Sequence, residues 1–354
     1  MAYILAINPG STSTKIALFD GAKEVFTKTL RHSTEEISRF EKVIDQYEFR
    51  KDAILTALEE NGVKVEQLEV VVGRGGLLRP ISSGVYAVND AMVEDLKSAQ
   101  YGEHASNLGG IIAREIGKVI GKPAYIADPV VVDELSDIAR VSGHPVFPHI
   151  SIFHALNHKA TAKNYAREIG KRYEDLNLVV AHLGGGVSVA AHEKGKVVDV
   201  NNALMGDGPF SPERTGTVSA MQMIDACFSG KYTKDELKKM INGKGGLTVL
   251  LGTNNFKDVD DRVAAGDERA KLVSDAFVYN VGKAIGGMAA AMSGKVDAIL
   301  VTGGIAYGKL IMKQLEEQVK FIAPVKIYPG EDEMAALASN ALAVLEGREA
   351  VKTY

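Results

Sequence analysis

The residues of this chain best suited to chemistry are anion-binding groups set among glycines. Arg74 stands in Gly73-Arg74-Gly75-Gly76, and Arg214 in the irregular stretch Met205–Gly216. A guanidinium stays charged and offers its donors in pairs. Neighbours of little bulk let it reach an anion without steric cover. Two turns add further donors. The first, Asn8-Pro9-Gly10-Ser11-Thr12-Ser13-Thr14-Lys15, offers backbone N–H groups, hydroxyls and an ammonium, and the second is His182-Leu183-Gly184-Gly185-Gly186. Groups of this kind hold phosphate oxygens and a hydrated Mg²⁺. Asp128 closes the apolar run Ala124-Tyr125-Ile126-Ala127, a strand-end position where open α/β sheets bind ligands. His154 and His158 are four apart and would share a helix face, as zinc ligands do. Nothing nearby supplies a third ligand, and no Glu follows the first His as in the metalloprotease pattern. A hydrogen-bonding His at a helix start is the reading taken. Each feature also has an ordinary alternative: a hairpin tip, an arginine in a surface loop, an Asp turning the chain before Pro129.

The familiar nucleotide and hydrolase signatures are missing. There is no Gly-x-x-x-x-Gly-Lys-Ser/Thr loop, no Gly-x-Gly-x-x-Gly fingerprint and no Gly-x-Ser-x-Gly elbow. With two anion-binding turns, two isolated arginines, a strand-end Asp and a His, but no evident covalent nucleophile, the set suits phosphoryl transfer. There catalysis is mostly positioning and neutralisation of charge.

Those groups need strands to carry them. Residues 3–7 and 15–19 read as a hairpin with 24–30 beside it, and 176–181 opens the same strand, Gly-rich turn, strand, turn, strand pattern. The two turns are 174 residues apart, close to half of 354, which makes an internal duplication the natural reading. Further strands are expected at 68–72, 83–88, 123–128, 296–302 and 325–328. Helices are expected at 34–61 with a break near 47–50, and at 90–99, 107–119, 154–171, 217–229, 234–241, 254–292 and 334–346. Residues 243–252 read as a loop. The length suits two domains. A net charge of −4 without a long basic run gives no hint of nucleic-acid binding. A single cysteine, Cys227, excludes an internal disulfide framework and fits a reducing compartment. No uninterrupted apolar stretch of about 18 residues occurs and the start lacks a basic leader, so no membrane association and a cytoplasmic setting are expected.

At this point the motifs become specific. Ile7–Lys15 resembles the first phosphate motif of the acetate/butyrate kinase family, within the superfamily of actin, sugar kinases and the Hsp70 ATPase. Val180–Gly186 resembles its second phosphate motif and Val301-Thr302-Gly303-Gly304-Ile305 its adenosine motif. The likeness runs through Ile152-Phe153-His154 and Met205–Gly216 to the terminal helix. Pro9, the short Gly73–Gly76 segment, Asp128–Asp133 and Asn201–Phe210 resemble the butyrate-kinase branch more than the acetate-kinase branch.

The resemblance implies an α/β fold of two duplicated ribonuclease H-like domains, the actin-like ATPase fold, with the active site in the cleft between them. The expected domains are 1–160, completed by the C-terminal helix 334–354, and 161–333. The implied reaction is Mg²⁺-dependent, in-line transfer between ATP and butyrate, giving ADP and butyryl phosphate. The implied roles are Asn8 and Glu333 for the metal, and Ser11, Ser13 and Lys15 near the phosphates. Arg74 and Arg214 would bind the carboxylate and the transferred group, with Asp128 and His154 as the other catalytic positions. His182, Gly184, Gly185 and Gly186 would form the second phosphate turn. Asn255, Phe256 and Lys257, with Gly303, Gly304 and Ile305, would meet the nucleoside. Partners are a short-chain acid or acyl phosphate, and the family tendency is a homo-oligomer. Other short acids (isobutyrate, propionate, acetate) are the nearest alternatives, with Val130-Val131-Val132 or Phe210 as possible alkyl-pocket walls. A sugar kinase or a non-enzymatic ATP switch leaves the paired arginines without a task.

Overall fold

Three antiparallel strands begin the chain, β1 (Tyr3–Pro9), β2 (Ser13–Asp20) and β3 (Lys23–Arg31), in a computed structural model that describes residues 2–354. Helix α1 (Thr34–Ile37) follows, started by a capping box between Ser33 and Glu36. Then come α2 (Tyr47–Glu60), β4 (Leu68–Arg74), β5 (Val85–Ala87), α3 (Asp90–Ser98), α4 (Asn107–Ile120) and β6 (Ala124–Ala127). After α5 (Asp137–Arg140) and α6 (Ala155–Glu168), a second meander runs through β7 (Asn177–Leu183), β8 (Val187–Glu193) and β9 (Lys196–Val200). Five helices follow: α7 (Ala220–Phe228), α8 (Lys234–Ile241), α9 (Gly246–Leu251), α10 (Phe256–Ala264) and α11 (Glu268–Ala291). The chain finishes with β10 (Ala298–Gly303), α12 (Lys309–Val319), β11 (Val325–Pro329), α13 (Glu333–Leu345) and β12 (Lys352–Thr353).

The two sheets repeat one plan. In the first the order is β12-β5-β6-β4-β1-β2-β3, and in the second β11-β10-β7-β8-β9. Each has an antiparallel three-strand meander whose first strand pairs in parallel with the next strand, and that one in parallel with another. Both meanders carry a register shift between their second and third strands, at Leu18/Phe19 and at Ala191/His192. The central strands are buried along nearly their whole length, as expected of sheets covered on both faces.

Compactness divides the chain into two units. One runs to Val132 and takes in Asp332–Tyr354, and the other is Asp133–Glu331. The expected boundary after residue 160 therefore lies earlier, because residues 133–160 are tied to the second sheet. The Ser136 N–H donates to the Val198 carbonyl, and buried Lys159 on α6 pairs with Glu134 at 2.6 Å. Asp332 and Glu333 likewise belong with α13.

Strand parity sets which side chains meet which helix. In the second unit Val179, Ala181 and Leu183 of β7 pack in one core with Phe277, Val281 and Ile285 of α11. Leu178 and Val180 pack instead with Ala162, Tyr165 and Ala166 of α6. In the first unit Leu5 and Ile7 pack on α2 and α4. The helix α13 lies against β1, β4 and β6.

Three local expectations change. The break before α2 lies at residues 38–46, ahead of Tyr47, so Arg50 sits inside an unbroken helix. The expected loop 243–252 contains α9, whose Leu247 is core and whose end is turned by Gly252 at φ +74°. The short α5 and β12 and the longer α12 were not anticipated.

Candidate active site

In the first unit the strand ends and the start of α13 bring together three of the expected residues. Asn8 and Arg74 share the parity of Ile4, Ala6, Val70 and Val72, opposite the face that holds Leu5 and Ile7. Asn8 Nδ2 donates to Glu333 Oε2 at 2.5 Å, and Arg74 Nη1 lies 2.9 Å from both Glu333 oxygens. Asn8 Oδ1 accepts from the same Arg74 nitrogen at 3.5 Å. The donor atoms here are a carboxylate and an amide oxygen, hard ligands of the kind a hydrated Mg²⁺ takes in ones and twos. They fit that ion.

The turn of the first hairpin is gripped from below by a residue the sequence reading missed. Arg50 is fully buried, and its guanidinium donates to the carbonyls of Gly10 at 2.7 Å, Ser13 at 3.0 Å and Ser11 at 3.1 Å. Gln46, one turn earlier, accepts from Arg50 Nε and Nη2. Thr14 Oγ1 accepts a further bond from Arg50 and meets His32 Nε2 at 2.9 Å. Burial lowers the Arg50 pKa to about 10, so it stays a cation. With three carbonyls drawn inward, the turn keeps Ser11 exposed, Ser13 half-exposed and Lys15 exposed. The misplaced helix break obscured that Arg50 shares a helix side with Ile54, Ala57 and Leu58, all buried.

Asp128 is buried, with φ +38°. Its Oδ1 accepts from Ser83 Oγ at 2.6 Å and from the Gly84 N–H at 2.8 Å. Its Oδ2 is buried without a partner among the described residues. The glycines around Arg74 answer to packing as well as access. A Cβ on Gly73 would strike the Gly109 carbonyl, and one on Gly76 would meet Asn107, both on α4.

In the second unit His154 caps α6 and its ring stacks on His182, centroids 3.9 Å apart and 13° from parallel. His182 Nδ1 is 2.9 Å from Asn157 Oδ1, and its Nε2 is 3.5 Å from Glu331. His182 follows Leu178 and Val180 in parity, which is why it meets α6. His154 Nδ1 and His158 Nε2 each lie 2.8 Å from Ser188 Oγ, so a hydroxyl occupies the position a shared metal would need. Among the described residues no group of three or more His, Cys, Asp or Glu is placed to hold a metal.

Arg214 lies over the glycine turn 184–186. A Cβ on Gly186 would collide with its Nη1 and approach His154 Cε1 at 3.3 Å. The guanidinium donates to the Ala203 carbonyl at 2.7 Å and to Asn242 Oδ1 at 3.1 Å, and burial lowers its pKa. Its loop is braced by Asn201, which bridges β8 and the Asp207 carbonyl. In the turn, the Gly184 N–H donates to the Gly186 carbonyl at 3.0 Å, and Ser211 Oγ donates to the Gly185 carbonyl at 2.7 Å.

The expected nucleoside residues divide. Gly303 has φ +95°, and a Cβ there would strike the Leu183 carbonyl, while Gly304 is exposed with open space above it. Ile305 and Phe256 instead turn inward: both belong to the α11-facing core, and Phe256 meets Phe277 at 5.0 Å. Their side chains are therefore packing residues. Asn255 caps α10, accepting from the Lys257 N–H, and Lys257 is exposed. Of the suggested alkyl-pocket residues, Val131 and Val132 are core, and Val130 and Phe210 are half-buried.

Comparison with known proteins adds four findings. The model of the Acetokinase family matches residues 151–331. A probable butyrate kinase of Clostridium botulinum is 56% identical over 355 residues, covering 100% of both chains. Butyrate kinase 1 of Clostridium acetobutylicum is 56% identical over 354 residues, again covering 100% of both. Among solved structures, the acetate kinase of Porphyromonas gingivalis superposes with a TM-score of 0.80 at 19% identity, covering 98% of this chain and 100% of that one. This is a likeness of fold.

Proposed function

The chain belongs to the acetokinase family, and from that premise we infer that it is a butyrate kinase, transferring a phosphoryl group reversibly between ATP and butyrate to give ADP and butyryl phosphate. The observation that carries the choice of acid is the end-to-end 56% identity to chains named as butyrate kinases. The two-sheet fold is the actin-like ATPase fold.

The side chains of the site suit that reaction. A carboxylate is already a competent nucleophile at neutral pH, so no general base is required. The difficulty is bringing one anion to another, and fixed guanidiniums answer it. In this reading Arg214, held over the second phosphate turn, and Arg74, held by Glu333, bind the acid and the moving phosphoryl group. His154 donates to a phosphoryl oxygen as charge spreads over it. The exposed hydroxyls of the first turn and the N–H groups of the second hold the ATP phosphates. Asp128 orients its neighbours through Ser83 and Gly84. Asn8 and Glu333 would hold Mg²⁺, which when bound neutralises phosphate charge. A cytoplasmic setting and self-association belong to the same proposal. The latter is supported by α7, which leaves Met221, Ile224 and Phe228 exposed.

A hydroxamate assay with ATP, Mg²⁺ and acids of two to five carbons tests the reading. Butyrate is expected to give the highest kcat/KM, with neighbouring acids following, since one methylene is worth about 1–3 kcal/mol. Acyl phosphate from none of them would reject the activity, and a strong preference for acetate would reject the assignment of butyrate.

A further inference from the structure

Behind His154 runs a line of buried polar groups that no role above uses. Ser188 Oγ lies 2.8 Å from His154 Nδ1 and 2.8 Å from His158 Nε2. His158 Nδ1 lies 3.3 Å from His192 Nε2, and His192 Nδ1 is 2.7 Å from the phenolic oxygen of Tyr173. Ser188, His158 and His192 are fully buried. Parity explains the line. Val187, Val189 and Ala191 of β8 face α11, so Ser188 and His192 face α6, where His158 stands one turn beyond the cap His154.

Burial holds His158 and His192 well below the usual imidazole pKa, so both rings are neutral. A neutral imidazole has one N–H and one lone pair, and a serine hydroxyl has one hydrogen. Each neutral imidazole therefore passes its two bonds in one direction, and a Ser188 hydroxyl that accepts from His158 can place its single hydrogen on His154. In one direction Tyr173 O–H donates to His192 Nδ1, His192 Nε2–H to His158 Nδ1, His158 Nε2–H to Ser188 Oγ, and Ser188 O–H to His154 Nδ1. His154 then carries its proton on Nε2. In the opposite direction His154 carries it on Nδ1 and its outer nitrogen is bare. A phenol is a stronger acid than a neutral imidazole N–H and an imidazole nitrogen a better base than a phenol oxygen, which favours O–H···N at the Tyr173 end. Lys159 Nζ, 5.4 Å over the Tyr173 ring, strengthens that donor.

We infer that Tyr173, His192, His158 and Ser188 are positioning residues forming a one-way hydrogen-bond relay that holds His154 in the tautomer presenting Nε2–H to the transferred phosphoryl group. The role of this N–H rests on the kinase reading above, and the tautomer does not. Which nitrogen carries the proton is set by the bond the other nitrogen makes.

The test uses the full chain labelled with ¹⁵N-histidine, and the ring signals of His154 are assigned by their loss in His154→Gln. The wild type is expected to show His154 protonated at Nε2. Tyr173→Phe keeps the ring and removes the terminal donor. It should shift His154 toward the Nδ1–H form and lower kcat roughly ten- to a hundredfold, as loss of a supporting partner does, with KM for ATP and butyrate held. Ser188→Ala, which cuts the relay at its centre, should act in the same direction. A wild-type His154 protonated at Nδ1 overturns the relay whether or not the variants fold. So does Tyr173→Phe with unchanged tautomer and kcat. Absence of acyl phosphate from the wild type rejects the kinase reading instead, so the two failures are told apart.

Discussion

At the scale of single residues, the site depends on close approach as much as on charge. Arg214 can lie over the glycine turn 184–186 because residue 186 has no side chain: a Cβ there would occupy the place of Nη1. This gives a paired prediction. R214A should lose roughly 10²–10³ in kcat, the cost typical of removing one preorganised donor, while ATP still binds. G186A keeps the guanidinium and displaces it, so its kcat should also fall, with about 1–3 kcal/mol of overpacking on top. Rapid-quench turnover and nucleotide titration of both variants check this. G186A with wild-type turnover would show that the observed placement of Arg214 is immaterial. Arg50 makes the complementary point. It touches three carbonyls of the first turn, and no motif announces it, because a buried arginine is defined by the backbone it satisfies rather than by its neighbours in sequence.

At the scale of elements, the strands and their turns were legible because their apolar runs and glycines are local signals. The pairing of elements was legible only in part. His182, Ser188 and His192 share one sheet face by counting alone, and His154 and His158 share one helix side. Joining the two counts would have exposed the seam between β7, β8 and α6. Phe256 and Ile305 show the reverse: both stand in motif-like stretches, yet packing against α11 claims their side chains. The seam carries a stability prediction. His158 and His192 are buried neutral, with folded pKa values well below 6.5. Below pH 6.5 the unfolded chain binds protons that these folded rings refuse, so their contribution is complete above that pH and erodes as pH falls. Between pH 7.5 and 5.5, above the carboxylate range, each should cost on the order of 1 kcal/mol. His32 and His104, also shifted down by burial, act in the same sense. Urea unfolding at the two pH values measures the total. H192Q, though less stable overall, should lose less over that interval; an unchanged pH dependence would mean that His192 takes up its proton in the fold as readily as in the unfolded chain.

At the scale of the whole molecule, the duplication is visible in strand order and even in the position of the register shift, but the two copies are not equally continuous. The unit Asp133–Glu331 is one stretch of chain with its covering helix α6 inside it. The other unit takes the corresponding helix, α13, from the far end of the sequence. That helix buries Met334, Leu337, Ala338 and Ala341, and it carries the Glu333 that meets Asn8 and Arg74. Burying a Met or Leu side chain contributes about 1.5–3 kcal/mol, and the uncovered sheet face would expose fully buried Ile4, Val70 and Val72 as well. Against a typical domain stability of about 5–15 kcal/mol, losing that helix removes most or all of the margin. The fragment 133–331 made alone should therefore unfold in a single cooperative thermal transition. The fragment 2–132 should lack one, and should gain it when residues 332–354 are supplied as a separate peptide. Circular dichroism melts of the three samples decide the matter. Cooperative melting of 2–132 by itself would show that α13 serves mainly to place Glu333. Failure of the peptide to restore folding would instead mean that covalent continuity through the second unit is needed to bring α13 home.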